Sequence, residues 1–370
     1  MRQWMRIVVG LLVVGCGTAS PPGATTRPTP TDFPIEAFAA IREDPVSADL
    51  AAKLQSVLAI VAGEAGASAT IMSPVGTWSG AIGKADGARD VTINDQFSIA
   101  STTKAVTAAQ VMQLVEAGKL GLDDPVADHL PRDIDFDTNG ATVRDLLSHR
   151  SGIPDYQNRL VPAWLSEPRR AWTPAEVLAE VPTNRTPPGG ESEYANVNYL
   201  LLGLVIEETT GRPMAKALRD GVLGIDGVER LIYQPDEVPT EPIAIDNGSS
   251  HKVLENMGGF LPSLAFTSDG AAAAMASDSI SLARWWRALC AGEIVSQASL
   301  TAMAPRDDWY GLGLAEFDPP GTVGHYGQDS GGVSMAGCMP ERGVVFALLA
   351  NRNGSVVNEG SPGYLVDALR

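Results

Sequence analysis

Ser101-Thr102-Thr103-Lys104 sets a hydroxyl and an amine three residues apart where a long apolar helix begins, and Lys104 is the only charge between Asp95 and Glu116. Four unpaired N–H groups and the macrodipole make a helix start electropositive, so its third position ordinarily carries Glu or Gln rather than a cation. Ala105, Val106, Ala108, Ala109, Val111, Met112, Leu114 and Val115 are apolar nearly all round the helix, which predicts a core helix with little wet face for the lysine to reach. A local rule broken without visible compensation marks a functional site. The chemistry that fits is acyl transfer. Ser101 is the candidate nucleophile, and Lys104, driven toward its neutral amine by burial and by the positive helix end, is its candidate base. The Ser101 N–H at the same helix start is a candidate oxyanion donor.

Two further triplets follow in order, Tyr194-Ala195-Asn196 and His325-Tyr326-Gly327. Around them lie Phe97-Ser98-Ile99-Ala100, the run Leu146-Leu147-Ser148-His149-Arg150-Ser151-Gly152-Ile153-Pro154-Asp155-Tyr156, Pro187-Pro188-Gly189, Asn198-Tyr199, Tyr310-Gly311-Leu312-Gly313 and Gly324 with Ser334 beyond it. On these residues, over roughly 36 to 370, the chain resembles the superfamily of serine β-lactamases and penicillin-binding D,D-peptidases. The branch it resembles is class C β-lactamase-like, with Ser-x-x-Lys, Tyr-x-Asn and a Lys-or-His-x-Gly element, and includes D-alanyl-D-alanine carboxypeptidases and esterases.

The resemblance implies a role for each residue. Ser101 is acylated, and Lys104 shares its proton with Tyr194, whose phenol, lowered in pKa by nearby cationic character, serves as base and then acid. Asn196 donates its amide to the substrate or positions Lys104. His325 hydrogen-bonds the tyrosine oxygen or the leaving side of the substrate. Gly327 lets its strand approach the substrate closely, and the Gln328 N–H completes the oxyanion hole opposite Ser101. A lysine in place of His325 would be a fixed cation suited to a carboxylate, whereas histidine is charged only part of the time near neutral pH, which favours the peptidase and esterase branches over true β-lactamases.

Single triplets are weak signals, and the chain contains chance copies: Ser249-Ser250-His251-Lys252, Tyr156-Gln157-Asn158 and Lys119-Leu120-Gly121. Their order along the chain and their turn-rich surroundings exclude them. Asp329-Ser330-Gly331-Gly332 echoes trypsin-like proteases, but those need an upstream histidine and aspartate in a two-barrel β fold, whereas this pattern is largely helical and His149 lies in the Leu-Leu-Ser-His-Arg-Ser-Gly run. Gly332-Val333-Ser334-Met335-Ala336 ends in Ala where a hydrolase elbow needs Gly. His149 reads as locally bonded in its loop, His129 ends an Asp-rich segment and His251 sits in a turn, and with no His-Glu-x-x-His and three cysteines in all, neither metal nor cofactor is expected.

The elements that must position these groups follow from periodicity. Residues 67–83 alternate as two strands around Pro74-Val75-Gly76, the stretch from Val91 to about 265 reads as helices and long Pro/Gly loops, and strands return after Tyr310, Val344 to Leu349 being an apolar β run. The expected fold is α+β: an antiparallel sheet built from both chain ends, flanked by helices, with an inserted mostly helical lobe over roughly 91–265. The catalytic domain is expected to span 35–370, with the site between the lobes.

Upstream, Arg2 and Arg6 flank the apolar run Ile7 to Val14, too short to span a bilayer, which reads as a signal peptide over 1–15. Val13-Val14-Gly15-Cys16 resembles a bacterial lipoprotein signal, which implies lipidation at Cys16 and a Pro/Thr/Gly tether over 16–34. Loss of Arg2 and Arg6 takes the formal charge from −17 to about −19, so nucleic acid and anionic headgroups are unfavourable partners and attachment falls to the lipid. Cys290 and Cys338 are free to pair in an oxidising envelope, but sequence does not show their proximity. The expected protein is a membrane-anchored, extracytoplasmic serine hydrolase acting through an acyl-enzyme, D-alanyl-D-alanine carboxypeptidase-like on cell-wall peptides. Carboxylesterase or weak β-lactamase action on the same site, and a non-catalytic lipoprotein binding wall fragments or protein partners, stand as alternatives.

Overall fold

Strand signals from the two ends of the chain meet in one sheet. The computed structural model describes residues 32–167, 170–240, 243–245, 267–306, 308–329, 332–352, 357–358 and 360–370. The signal segment, Cys16 and the tether up to residue 31 lie outside these residues. Phe33, assigned to the tether from sequence, is buried, and its N–H donates to Thr301 Oγ1 at 2.8 Å.

In chain order the described elements are α1 (Ala48–Ala62), β1 (Ala67–Ser73), β2 (Gly76–Ile82), β3 (Phe97–Ser98), α2 (Thr103–Glu116), α3 (Val143–Leu147), α4 (Gln157–Ser166), α5 (Pro174–Ala179) and α6 (Asn196–Thr210). Then follow α7 (Met214–Asp220), β4 (Ile232–Tyr233), β5 (Met275–Ser277), α8 (Ser279–Cys290), α9 (Gln297–Met303), β6 (Ala315–Phe317), β7 (Thr322–Gln328), β8 (Val333–Met339), β9 (Val344–Ala350) and α10 (Ser361–Asp367). The large sheet is antiparallel, in the order β2-β1-β9-β8-β7-β6. The α+β, antiparallel architecture expected from the sequence is the one observed.

Both faces of this sheet are covered, which is why β1, β8 and β9 are buried at every position. Ala67, Ala69 and Ile71 of β1, with Phe346 and Leu348 of β9, pack with Leu54 and Leu58 of α1 and Leu365 of α10. The alternate residues Val345, Ala347 and Leu349 join the larger core that holds α2, α6 and α8. Ser279, at the start of α8, bonds Ser68 at 2.8 Å and Thr70 at 2.9 Å, satisfying the hydroxyls buried on that face.

Helices α2 to α7 and their connecting loops occupy the middle of the chain, which also contributes to a small sheet in the order β3-β5-β4. Its strands have two or three residues each, too few for a period of two to register. Local chemistry starts and stops the helices: Thr142 with Asp145, and Thr173 with Glu176, form capping boxes, and α6 ends at Gly211 in a left-handed conformation. Helices α2 and α6 cross the centre of the larger core and are buried on nearly all sides.

Cys290, ending α8, is disulfide-bonded to Cys338 of β8, which settles a pairing that sequence left open. The bridge closes a loop over a separation of 48 residues, for which chain entropy allows up to about 4 kcal/mol. Replacing both cysteines by alanine is expected to lower the unfolding free energy in urea by about 2–4 kcal/mol. Alkylation of two free thiols in native, non-reduced protein would contradict the pairing.

Candidate active site

The turn before α2 is strained and held from several sides. Ala100, immediately before the nucleophile candidate, has φ 43°, a region L-residues other than glycine rarely occupy. Ile99 donates its N–H to Met275 O at 3.0 Å, and its carbonyl accepts the Ser334 hydroxyl at 2.6 Å. Thr102 Oγ1 lies 2.8 Å from the same Ser334 oxygen. Strand β7 presses on this turn through Gly327, where a Cβ would stand 2.2 Å from Ile99 O and 3.0 Å from Ser101 N. The close approach expected of Gly327 is thus made to the backbone of Ile99 and Ser101. Gln328 ends β7, and its side-chain Oε1 accepts the Tyr326 hydroxyl at 2.9 Å.

Lys104 is fully buried, with Nζ 3.0 Å from Ser101 Oγ, 2.7 Å from Asn196 Oδ1 and 3.0 Å from the Ala272 carbonyl. Burial drives its pKa down to about 7, against the raising influence of Asp269 and then Asp155. The carbonyl and the amide oxygen can only accept, so in the neutral amine they take its two N–H bonds. The nitrogen lone pair is then left for the Ser101 hydroxyl. Asn196 Nδ2 donates to Asp155 Oδ2 at 3.3 Å, which fixes the amide so that its oxygen faces the lysine. Of the two tasks expected of Asn196, the positioning of Lys104 is the one its contacts display.

Tyr194 stands just before α6, with Lys104 Nζ 4.8 Å from its ring centre and Ser101 near enough to its hydroxyl to lower the phenol pKa. Tyr194 is 37% exposed, yet desolvation at the hydroxyl end pushes the phenol pKa up, and the influence of Ser101 only partly offsets this. The sequence-based expectation of a lowered pKa is corrected: desolvation is the largest influence on the phenol and no cation offsets it, so burial wins.

His325 is buried, and both of its nitrogens are engaged inside the protein. Nδ1 donates to Tyr326 O at 2.7 Å and Nε2 accepts the Tyr310 hydroxyl at 3.0 Å. Burial, with Lys104 nearby, lowers its pKa to about 3. The expected bond to Tyr194 or to the leaving side is therefore replaced by one to Tyr310, and the ring is neutral throughout the physiological range.

Several participants escaped the sequence. Asp269 is buried and accepts the Tyr156 hydroxyl at 2.9 Å, and burial raises its pKa. Its charge raises the Lys104 pKa. Desolvation likewise raises Asp155, opposed by the backbone N–H groups of Asn196 and Val197 at the start of α6 and by Lys104. No spacing marks either aspartate. His129 bonds Asp124 at 3.1 Å, and His251 lies outside the described residues. Among the described residues no His/Cys/Asp/Glu group is arranged to hold a metal ion.

The family model described as Beta-lactamase matches residues 61–369. The chain belongs to the Beta-lactamase family. Penicillin-binding protein 4 of Amycolatopsis lactamdurans is similar, 30% identical over 296 residues, which are 70% of this chain and 73% of that protein. An Escherichia coli K12 protein provisionally named a D-alanyl-D-alanine carboxypeptidase is 30% identical over 149 residues, 38% of this chain but only about a third (34%) of its own length. Among solved structures, the D-amino acid amidase of Ochrobactrum anthropi SV3 complexed with L-phenylalanine superposes with a TM-score of 0.73 at 26% identity, covering 87% of this chain and 98% of that one.

Acylation of Ser101 should rise with pH through about 7 as Lys104 loses its proton, and fall below it as the base is protonated. Because Asp269 stabilises the ammonium, D269N is expected to move this limb to lower pH. His325 should contribute no limb between about pH 5 and 8. A pH–rate profile with a neutral ester checks all three; a limb unmoved by D269N would contradict the pairing of Asp269 with Lys104.

Proposed function

We propose that the protein hydrolyses D-amino-acid peptides and amides through an acyl-enzyme on Ser101, with cell-wall peptides ending in D-alanyl-D-alanine as the first substrate class. The observation that carries this reading is the placement of Lys104, whose two acceptor-only neighbours leave its lone pair to the serine hydroxyl. In the proposed cycle Ser101 Oγ attacks the substrate carbonyl while its proton passes to Lys104. The developing oxyanion is held by the Ser101 and Gln328 N–H groups. As the tetrahedral intermediate collapses, Tyr194 hands its proton to the leaving amine and takes one from the Lys104 ammonium, so no phenolate persists. Water then attacks the acyl carbon, gives its proton to the same pair, and Ser101 leaves with its proton restored.

A second reading, esterase or amidase action on substrates with an uncharged end, is favoured by His325. Its ring is neutral and bonded on both sides, so it offers no fixed cation to a substrate carboxylate. The likeness to a D-amino acid amidase supports the same direction. We further propose that the domain acts on the outer side of the membrane, held by lipid at Cys16. The Arg2, Arg6, Ile7 to Val14 and Gly15-Cys16 pattern and the Pro/Thr-rich run beyond it support this.

Wild type and S101A should be compared on a D-alanyl-D-alanine peptide, its C-terminal carboxamide, a neutral ester and a chromogenic lactam. Wild type is expected to turn over the peptide or its carboxamide at least about 1,000-fold faster than S101A. Equal rates for the two proteins on both would overturn the substrate assignment, and the absence of turnover on all four would favour a binding role for cell-wall fragments.

A further inference from the structure

His149 carries two costs that an ordinary core residue avoids. It has φ 56°, and its buried Nε2 has no hydrogen-bond partner among the described residues. Residues held in such conformations persist only where the surroundings over-determine them, and they cluster at functional sites. A leucine would fill the same space without the unpaired N–H.

Both costs serve one arrangement. The loop around His149 is zipped to the segment that leads into the Tyr-Ala-Asn triplet. Thr186 N–H donates to Gly152 O at 3.1 Å, Gly189 N–H to Arg150 O at 2.8 Å, and the Ser192 hydroxyl to Ser148 O at 3.1 Å. The zip ends at His149 itself, whose carbonyl accepts the Glu193 N–H at 2.8 Å and whose Nδ1 accepts the Ala195 N–H at 3.2 Å. These two bonds bracket Tyr194 along the chain.

The tautomer is determined by its neighbours. Ser151 Oγ donates to Asn198 Oδ1 at 2.6 Å, which turns the Asn198 amide so that its Nδ2 donates to His149 Nδ1 at 3.1 Å. With two donors on Nδ1 the ring proton resides on Nε2. The imidazole centre lies 4.3 Å from that of Tyr194, 4.8 Å from Tyr310 and 5.2 Å from Tyr199. Tyr194 is over a third exposed, so this imidazole is a principal wall behind its ring.

We propose that His149 is the positioning residue for Tyr194: the acceptor at Nδ1 fixes the backbone on one side of the tyrosine, the His149 carbonyl fixes it on the other, and the ring backs the phenol so that its hydroxyl stays at Ser101. The inference rests on the reading of Tyr194 as the proton-transfer group. Asparagine offers a side-chain acceptor of similar reach and is the non-glycine residue that best tolerates positive φ, whereas leucine offers neither.

The test measures kcat and KM on a neutral ester for wild type, H149L, H149N, Y194F and H149L/Y194F. H149L is expected to lose about 100-fold in kcat with KM changed less than about threefold, and H149N to keep at least about a tenth of wild-type kcat. In the Y194F background H149L should cost less than about threefold, because the group it positions is already gone. Wild-type kcat in H149L, or the full loss repeated in the Y194F background, would overturn the proposal. Should H149L fail to fold, H149N decides: kcat above a tenth of wild type supports the positioning role and kcat below it refutes it. A Y194F enzyme as fast as wild type would instead refute the reading of Tyr194, which separates the two failures.

Discussion

The burial of the Lys104 side chain is the constraint from which the rest of the site follows. An isolated ammonium transferred to a protein interior costs several kcal/mol even after relaxation, so the group must be neutralised, paired or both. Here it is both. Desolvation pulls the amine toward its neutral form, while Asp269 and Asp155 keep the proton from being lost outright. The consequence is a nitrogen poised to accept and return a proton near neutral pH. The groups that hold it come from three separate parts of the chain: Ser101 before α2, Asn196 at the start of α6 and Ala272 shortly before β5. Their assembly requires α2 and α6 to pack closely through the core, and accounts for the buried circumference of both.

A second requirement is that the sheet reach the backbone of Ser101. Strand β7 lies against the Ile99–Ser101 turn only because Gly327 has no side chain, and Ser334 on the neighbouring strand holds the Ile99 carbonyl. Ala100 absorbs the strain of the turn. The histidine of β7 has been drawn into structural service through Tyr310 and Tyr326. It therefore shapes the pocket wall without lending it charge, in contrast to a lysine at that position, and the charge preference of the site is left to the lysine–aspartate group behind the serine.

Much of this was legible in the sequence, for reasons that differ by residue. Ser101 and Lys104 stand out because a charge inside an apolar run contradicts its surroundings, and that contradiction is local. Tyr194, Asn196 and His325 are visible only as an ordered set. The two-ended sheet was legible because β1, β2 and β9 are long enough to show a pattern, whereas β3, β4 and β5 are too short to show one. Asp269 and His149 were not legible as site residues, since a single aspartate or histidine in a loop carries no period and their partners are distant in sequence. The direction of the Tyr194 shift was misread because sequence suggests which charges are near but not how deeply a hydroxyl is desolvated, and here desolvation is the larger effect.

The central claim, that buried Lys104 activates Ser101, is tested most directly by the rate of fluorophosphonate labelling, read by intact mass on wild type, K104A and S101A, each shown to be folded. The account predicts a single adduct on wild type, none on S101A, and labelling of K104A slowed by about 100- to 10,000-fold. Labelling of K104A at the wild-type rate, or an adduct that survives in S101A, would contradict it.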